Sequence, residues 1–249
     1  VYFHELPRQK IALSPIHITL LTPLQVILCR RIAGLADLVW VNQARGLPLL
    51  RPAKSKHIEF MPTISSFGVC EKPTFLEKRD PIDVVFGIES KRRRMYAQLA
   101  CLALDDWQSI GVNQILDIGN WFDETDCLTP IPIPIIRLGQ ISHEEVMKLL
   151  NRVRVGFFTA SAEEVSKSSV FAAYTAYGVV PINTEPYIAI YPDDFMPFPG
   201  REYLLLTDIL THTDFTSIAQ FGKEWLQKYS PELAMKRILE QINAVLQQS

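Results

Sequence analysis

Two stretches of this 249-residue chain concentrate side chains able to hold an anion. In FGIESKRRRM (86–95), an apolar run delivers Gly87 and then Ser90, Lys91, Arg92, Arg93 and Arg94 at the start of a helical pattern. Cations at a helix N-terminus oppose the macrodipole by roughly 0.3–1 kcal/mol each. An anionic ligand offsets that cost through charge-assisted hydrogen bonds. Helical spacing equally allows most of the four to face solvent, with one or two over a crevice. The second stretch is FFTASAEEVSKSSVFAAYTAYG (157–178), where Glu163 and Glu164 precede Ser166, Lys167, Ser168 and Ser169 and then an apolar helix. Free backbone N–H groups around Ser168, Ser169 and Val170 offer a phosphate seat. A serine there also serves as an ordinary helix cap. Lys167 beside the cap, with carboxylates just upstream, favours a phosphate and a hydroxyl-rich group bound side by side.

Other chemistries lack their signatures. Neither loop is G-x-G-x-x-G or G-x-x-x-x-G-K-[ST], so no dinucleotide fingerprint or P-loop is present. There is no G-x-S-x-G elbow and no protein-kinase set. Cys29, Cys70, Cys101 and Cys127 stand far apart without a C-x-x-C pair, and are expected to be mostly buried thiols in a reducing compartment. The scattered histidines form no H-E-x-x-H pattern, so no bound metal is expected. Lys and Arg number 25 against 27 Asp and Glu, a balance that argues against a nucleic-acid binder. No apolar run approaches the roughly 20 residues of a transmembrane helix.

The elements that must position these loops alternate. IDVVFGI (82–88) is an unbroken apolar run of the kind buried on both faces of a sheet. A helix is expected from about Lys91 to Leu104, then strands at QILDIG (114–119) and IPIIRLG (133–139). Ser142 and Glu145 form a capping box for a helix through Leu150. VRVGFFTA (153–160) is the next strand, followed by a helix from about Ser168 to Tyr177 that Gly178 closes. VVPI (179–182) and EYLLLT resume the sheet. Helices over Phe215 to Lys228 and Pro231 to Leu246 end the chain. Repeated βα units of this kind make a parallel, doubly wound α/β sheet. Ahead of it, the section up to about Phe67 reads strand, helix, strand, strand and has eight Lys/Arg against three acids. That surplus is either a solvated face or a surface for anionic lipid or substrate. Residues 68–81, polar and carrying Pro73 and Pro81, read as a linker.

The order of these features resembles the glycosyltransferases built from two Rossmann-like domains, the GT-B type, and within it the retaining branch that uses nucleotide sugars. VYFHELP and LADLVWVN resemble late strands of the first domain, and MPTISSFG the crossover to the second. DVVFGIESKRRRM is similar to the opening of the second domain. RLGQISHEEVMKLLNRVRVGFFTAS resembles the block that lies along the nucleotide, and SAEEVSKSSVFAAYTAYGVVPI the acidic donor-sugar loop with its phosphate helix. The family's second glutamate, eight residues after the first, falls here at Ala172 or Ala173, a departure that bears on contact with the donor ribose.

The resemblance implies a GT-B-like fold. Residues 1–67 would be the C-terminal portion of an acceptor-side domain and 68–81 the linker. Residues 82–230 would form the donor-binding domain, and 231–249 a C-terminal helix able to return to the first domain. It implies transfer of a sugar from a nucleoside diphosphate to a hydroxyl of a glycan, lipid or small-molecule acceptor, with no cofactor and no metal. Catalytic roles would fall to His4, facing the transferred sugar, to Lys91, at the leaving diphosphate, and to Glu164, on the sugar hydroxyls. Gly87, Arg92, Leu138, Gly139, Glu163, Lys167, Ser168, Ser169 and Val170 would hold the donor. The expected location is cytoplasmic, with the basic first section available to an anionic membrane face. The competing readings are an inactive GT-B-like binding or scaffolding module and a nucleotide-sugar epimerase of the same architecture.

Overall fold

A computed structural model describes residues 2–3, 16–43, 46–50, 57–120, 130–186, 196–209 and 214–247. These fall into two compact units, one drawn from residues up to Thr63 and from Tyr229 onward, the other from Ile64 to Lys228 apart from a short stretch ending at Met196.

The first unit carries a parallel three-stranded sheet, β1 (Tyr2–Phe3), β2 (Leu38–Val41) and β3 (His57–Phe60), in that spatial order. Helix α1 (Ile16–Leu35) joins β1 to β2, and a short helix α2 (Gly46–Leu50), which the sequence pattern does not announce, precedes β3. Ala33, Val39, Val41 and Leu50 form its small core.

The second unit runs β4 (Asp80–Phe86), α3 (Glu89–Leu99), α4 (Leu104–Ile110), β5 (Gln114–Ile118), β6 (Ile135–Gly139), α5 (His143–Leu150), β7 (Val153–Phe158), α6 (Ser169–Tyr177), β8 (Val180–Asn183), β9 (Leu204–Leu205) and α7 (Phe215–Gln227). Its six strands are all parallel, in the order β6-β5-β4-β7-β8-β9. The chain winds outward from β4 to β6 on one side, then restarts beside β4 with β7 and winds outward on the other. The carboxyl ends of β4 and β7 therefore flank the switch point, where open parallel sheets leave a crevice for ligands.

Local signals set most element ends. Ser142 Oγ accepts the Glu145 N–H at 3.3 Å while the Glu145 carboxylate accepts the Ser142 N–H at 2.8 Å, so α5 begins with a full capping box. Gly178 closes α6 in the left-handed region at φ 64°. In α6 every residue from Phe171 to Tyr177 is buried, as expected for a helix apolar all round. Helix α8 (Pro231–Leu246), in the first unit, starts with the Ser230 hydroxyl accepting the Leu233 N–H at 3.2 Å.

Three expectations need correction. The helix read across Lys91 to Leu104 stops earlier, at Leu99, and a second helix that was not expected, α4, starts at Leu104, where the Ala103 N–H finds the Asp106 carboxylate at 2.7 Å and Trp107 and Ile110 are buried. The polar stretch before β4 does not simply link. Arg79 is 7% exposed, and its guanidinium donates to the carbonyls of Thr74, Leu150, Val153 and Tyr177, pinning the approach to β4. Burial pulls its pKa down to about 10, which leaves it charged at neutral pH. The described cysteines are not core thiols: Cys29 and Cys70 are half-buried and Cys101 is exposed, while Cys127 lies outside the described residues.

Candidate functional site

Helix α3 has a buried stripe made of Arg92, Met95, Tyr96 and Leu99, with i, i+3/i+4, i+7 spacing. That stripe decides what its basic run can do, because the four cations go four ways. Arg92 is on the stripe, 2% exposed, and pairs with the buried Asp117 of β5. Arg93 turns back to Glu89 at 2.8 Å, and Arg94 reaches Glu185, past the end of β8, at 2.6 Å. Lys91 is exposed, and its ammonium has no partner among the described residues.

Beside Lys91 is a cavity of about 200 Å³ lined by residues that follow β4 and β7. Gly87, Ile88, Lys91 and Arg92 come from the β4–α3 turn, Phe158 and Thr159 from the end of β7, and Lys167, Ser168, Ser169 and Val170 from the start of α6. Two helix N-termini thus converge on it. Helix α3 is preceded by Ile88, whose side chain supplies no cap to the first-turn N–H groups. At α6 the Ser168 hydroxyl does act as a cap, accepting the Phe171 N–H at 3.2 Å. The cap and the phosphate seat are therefore the same residue. With two positive helix ends and two lysines, the cavity attracts an anion.

The strands hold this mouth together. Asn183 at the end of β8 donates to the Ala160 carbonyl at 2.8 Å and accepts the Ala160 N–H at 3.1 Å. The hydroxyls of Thr159 and Thr184 lie 2.7 Å apart. Tyr174 of α6, fully buried, donates to the carbonyls of Val84 at 2.7 Å and Phe157 at 3.0 Å, tying the helix to β4 and β7. Below, Asp83 accepts the Phe157 N–H at 3.0 Å, and burial pushes its carboxyl well above the usual range.

The structure brings seven of the sequence candidates to one cavity: Gly87, Lys91, Arg92, Lys167, Ser168, Ser169 and Val170. Glu163 and Glu164 are half-buried in a 3-10 turn, Ala162–Lys167, that leads into α6; they do not line the cavity. Leu138 and Gly139 end β6, two strands from β4, about 10 Å away at ordinary strand spacing. His4 lies outside the described residues. Ala172 and Ala173 are buried in the core, so no side chain stands there for a ligand. Sequence reasoning missed Asp117, Thr159 and Asn183. The signal for Asp117 was present: a lone acid inside the apolar run QILDIG requires a buried partner. Among the described residues no cluster of His, Cys, Asp or Glu could hold a metal ion, and no helix is long and apolar enough to cross a membrane.

No family model matches the sequence, and no curated protein matches it. Solved structures do match in fold. HepE of Anabaena, in complex with UDP-glucose, superposes with a TM-score of 0.60 at 13% identity, over 98% of this chain and 71% of that one. The pneumococcal O-GlcNAc transferase GtfA, in complex with UDP and GlcNAc, gives 0.56 at 11% identity over 89% and 48%. The α,α-trehalose-6-phosphate synthase of Burkholderia multivorans gives 0.55 at 12% identity over 94% and 64%. The chain thus has the GT-B-like α/β fold, with parallel Rossmann-like sheets.

Proposed function

We propose that this chain binds a nucleoside-diphosphate sugar and transfers the sugar to an acceptor hydroxyl. One observation carries the reading: the N-termini of α3 and α6, with Lys91 and Lys167, surround one cavity at the switch point between β4 and β7. At about 200 Å³ it is smaller than the roughly 300–1,000 Å³ that encloses a drug-sized ligand, so it suits the phosphates rather than a whole donor. The nucleoside would extend toward Leu138 and Gly139, and the sugar toward Glu163 and Glu164. As the glycosidic bond breaks, negative charge grows on the diphosphate, where preorganised cations and N–H dipoles stabilise it most. This uses no cofactor and no metal. The neighbours with bound UDP-glucose and with UDP and GlcNAc support a nucleotide-sugar donor. Retention at the anomeric carbon, hexosyl specificity and a glycan, lipid or small-molecule acceptor are the finer parts of the same proposal, as is a cytoplasmic setting with the basic first section against an anionic membrane.

Calorimetric titration with UDP, GDP and ADP tests it. We expect one nucleoside diphosphate to bind, with Lys91→Ala weakening it about tenfold, the weight of one screened charge at a phosphate. A folded wild-type chain that binds none of the three refutes the proposal.

A further inference from the structure

We infer that Asp117 sets the charge of this cavity, holding Arg92 as a neutral strut beneath it so that the lysines alone meet the phosphates. The inference rests on the diphosphate reading of the cavity. Arg92 lines the cavity, yet it is 2% exposed and both terminal nitrogens of its guanidinium are already committed. Nη1 donates to Asp117 Oδ1, and Nη2 donates to the Asn120 carbonyl just past β5. The strand end is shaped for it: Gly119 adopts φ +138°, and a Cβ there would stand 3.0 Å from Arg92 Cζ and Nη2. Tyr96, one turn further along α3, is buried on the same side, and burial together with the nearby Asp117 and Asp83 carboxylates raises its phenol pKa. The neighbouring acid, Asp83, accepts the Phe157 N–H at 3.0 Å, and the acid paired with Arg92 is Asp117. A sequence pattern of four consecutive basic residues thus yields a ligand-facing Lys91 and a compensated Arg92.

The consequence is electrostatic. Arginine stays protonated even when buried. Asp117→Asn keeps the shape of the side chain but leaves a full positive charge under an anion site. The attraction it adds scales with ligand charge, so pyrophosphate gains more than inorganic phosphate. A residue that only supports the fold has no such dependence.

The test is calorimetric titration of pyrophosphate and of inorganic phosphate into wild type, Asp117→Asn and Asp117→Asn/Arg92→Met at several salt concentrations, with circular dichroism to establish folding. We expect Asp117→Asn to bind pyrophosphate about tenfold tighter, with a smaller gain for phosphate and a gain that shrinks as salt rises. The double variant, neutral again, should return to within about twofold of wild type. Unchanged or weaker pyrophosphate binding by folded Asp117→Asn overturns the inference, as does an equal gain for both ligands. If Asp117→Asn does not fold, the double variant decides. Near-wild-type affinity sustains the inference, and a loss as large as that of Lys91→Ala makes Arg92 a phosphate ligand and overturns it. A wild-type chain that binds neither anion removes the diphosphate reading itself, whereas wild-type binding with an unmoved Asp117→Asn removes this inference alone.

Discussion

Gly156→Ala puts the packing beneath the site under direct strain. Gly156 lies in β7 under Tyr174, and a Cβ built there falls 2.5 Å from Cε1 and Cζ of the ring. Carbon atoms rest at about 3.5–4.0 Å, so the ring must retreat by roughly 1 Å. Tyr174 has little freedom to do so. It is fully buried, and its hydroxyl is fixed on the Val84 carbonyl at 2.7 Å and the Phe157 carbonyl at 3.0 Å. A shift of that size carries the hydroxyl out of hydrogen-bonding range. Overpacking costs about 1–3 kcal/mol and an unsatisfied buried polar group about 1–3 kcal/mol, so the variant should lose about 4 kcal/mol. Urea unfolding measures this through the fluorescence of Trp107 and Trp225, both buried in the same unit. In a Tyr174→Leu background, where the obstructing ring is gone, Gly156→Ala should cost under about 1 kcal/mol, a coupling of roughly 3 kcal/mol. A cost below about 1 kcal/mol in the wild-type background, or equal costs in both, would refute the steric argument. Because Tyr174 anchors α6, the single variant should also weaken pyrophosphate binding at temperatures where it remains folded.

Gly119→Ala combines a backbone conformation that L-residues rarely adopt with a contact at 3.0 Å to the Arg92 guanidinium. It should destabilise by about 2–3 kcal/mol in the same urea assay, against a few tenths for a substitution at an open surface position. Ser142→Ala removes the cap of α5 and should cost about 1 kcal/mol. The pH dependence of that cap follows from Glu145, whose carboxyl is held below its usual range by hydrogen bonds from the Ser142 hydroxyl and N–H. A carboxylate with a lowered folded pKa stabilises above its unfolded value of about 4.3, and that stability is lost as pH falls through the folded value. Glu145→Gln should therefore flatten the acid limb of thermal stability below about pH 4.5, and an unchanged limb would show that the box carries no charge-dependent share.

Much of the second unit was legible in the sequence, because the signals that made it so are local. Apolar runs marked β4 to β8, the Ser142–Glu145 pair fixed the start of α5 and Gly178 the end of α6; in the first unit, Pro231 marked the start of α8. A capping hydroxyl or a left-handed glycine acts within a few residues of itself, so it is readable without the fold. The early end of α3 and the short α4 after it were missed because only the burial of Trp107 and Ile110 makes that segment pack as a helix of its own. The α2 helix is too short to leave a periodic trace.

The candidate site divides along the same line. Sequence alone placed cations at one loop and serines at another, since strand-then-helix order puts both loops at the carboxyl edge of a parallel sheet. It could not say which of Lys91, Arg92, Arg93 and Arg94 meets a ligand. That depends on the phase of α3 against the sheet and on neighbours distant in the chain: Asp117, 25 residues on, for Arg92, and Glu185 for Arg94. Nor could it bring the β4 and β7 loops together, because their adjacency follows from the strand order β6-β5-β4-β7-β8-β9. Local hydrogen bonding and hydrophobic period fixed the elements, whereas the pairing of buried charges and the meeting of two helix ends came from tertiary packing, where the cost of an unpaired buried charge selects a partner however far away it lies in the chain.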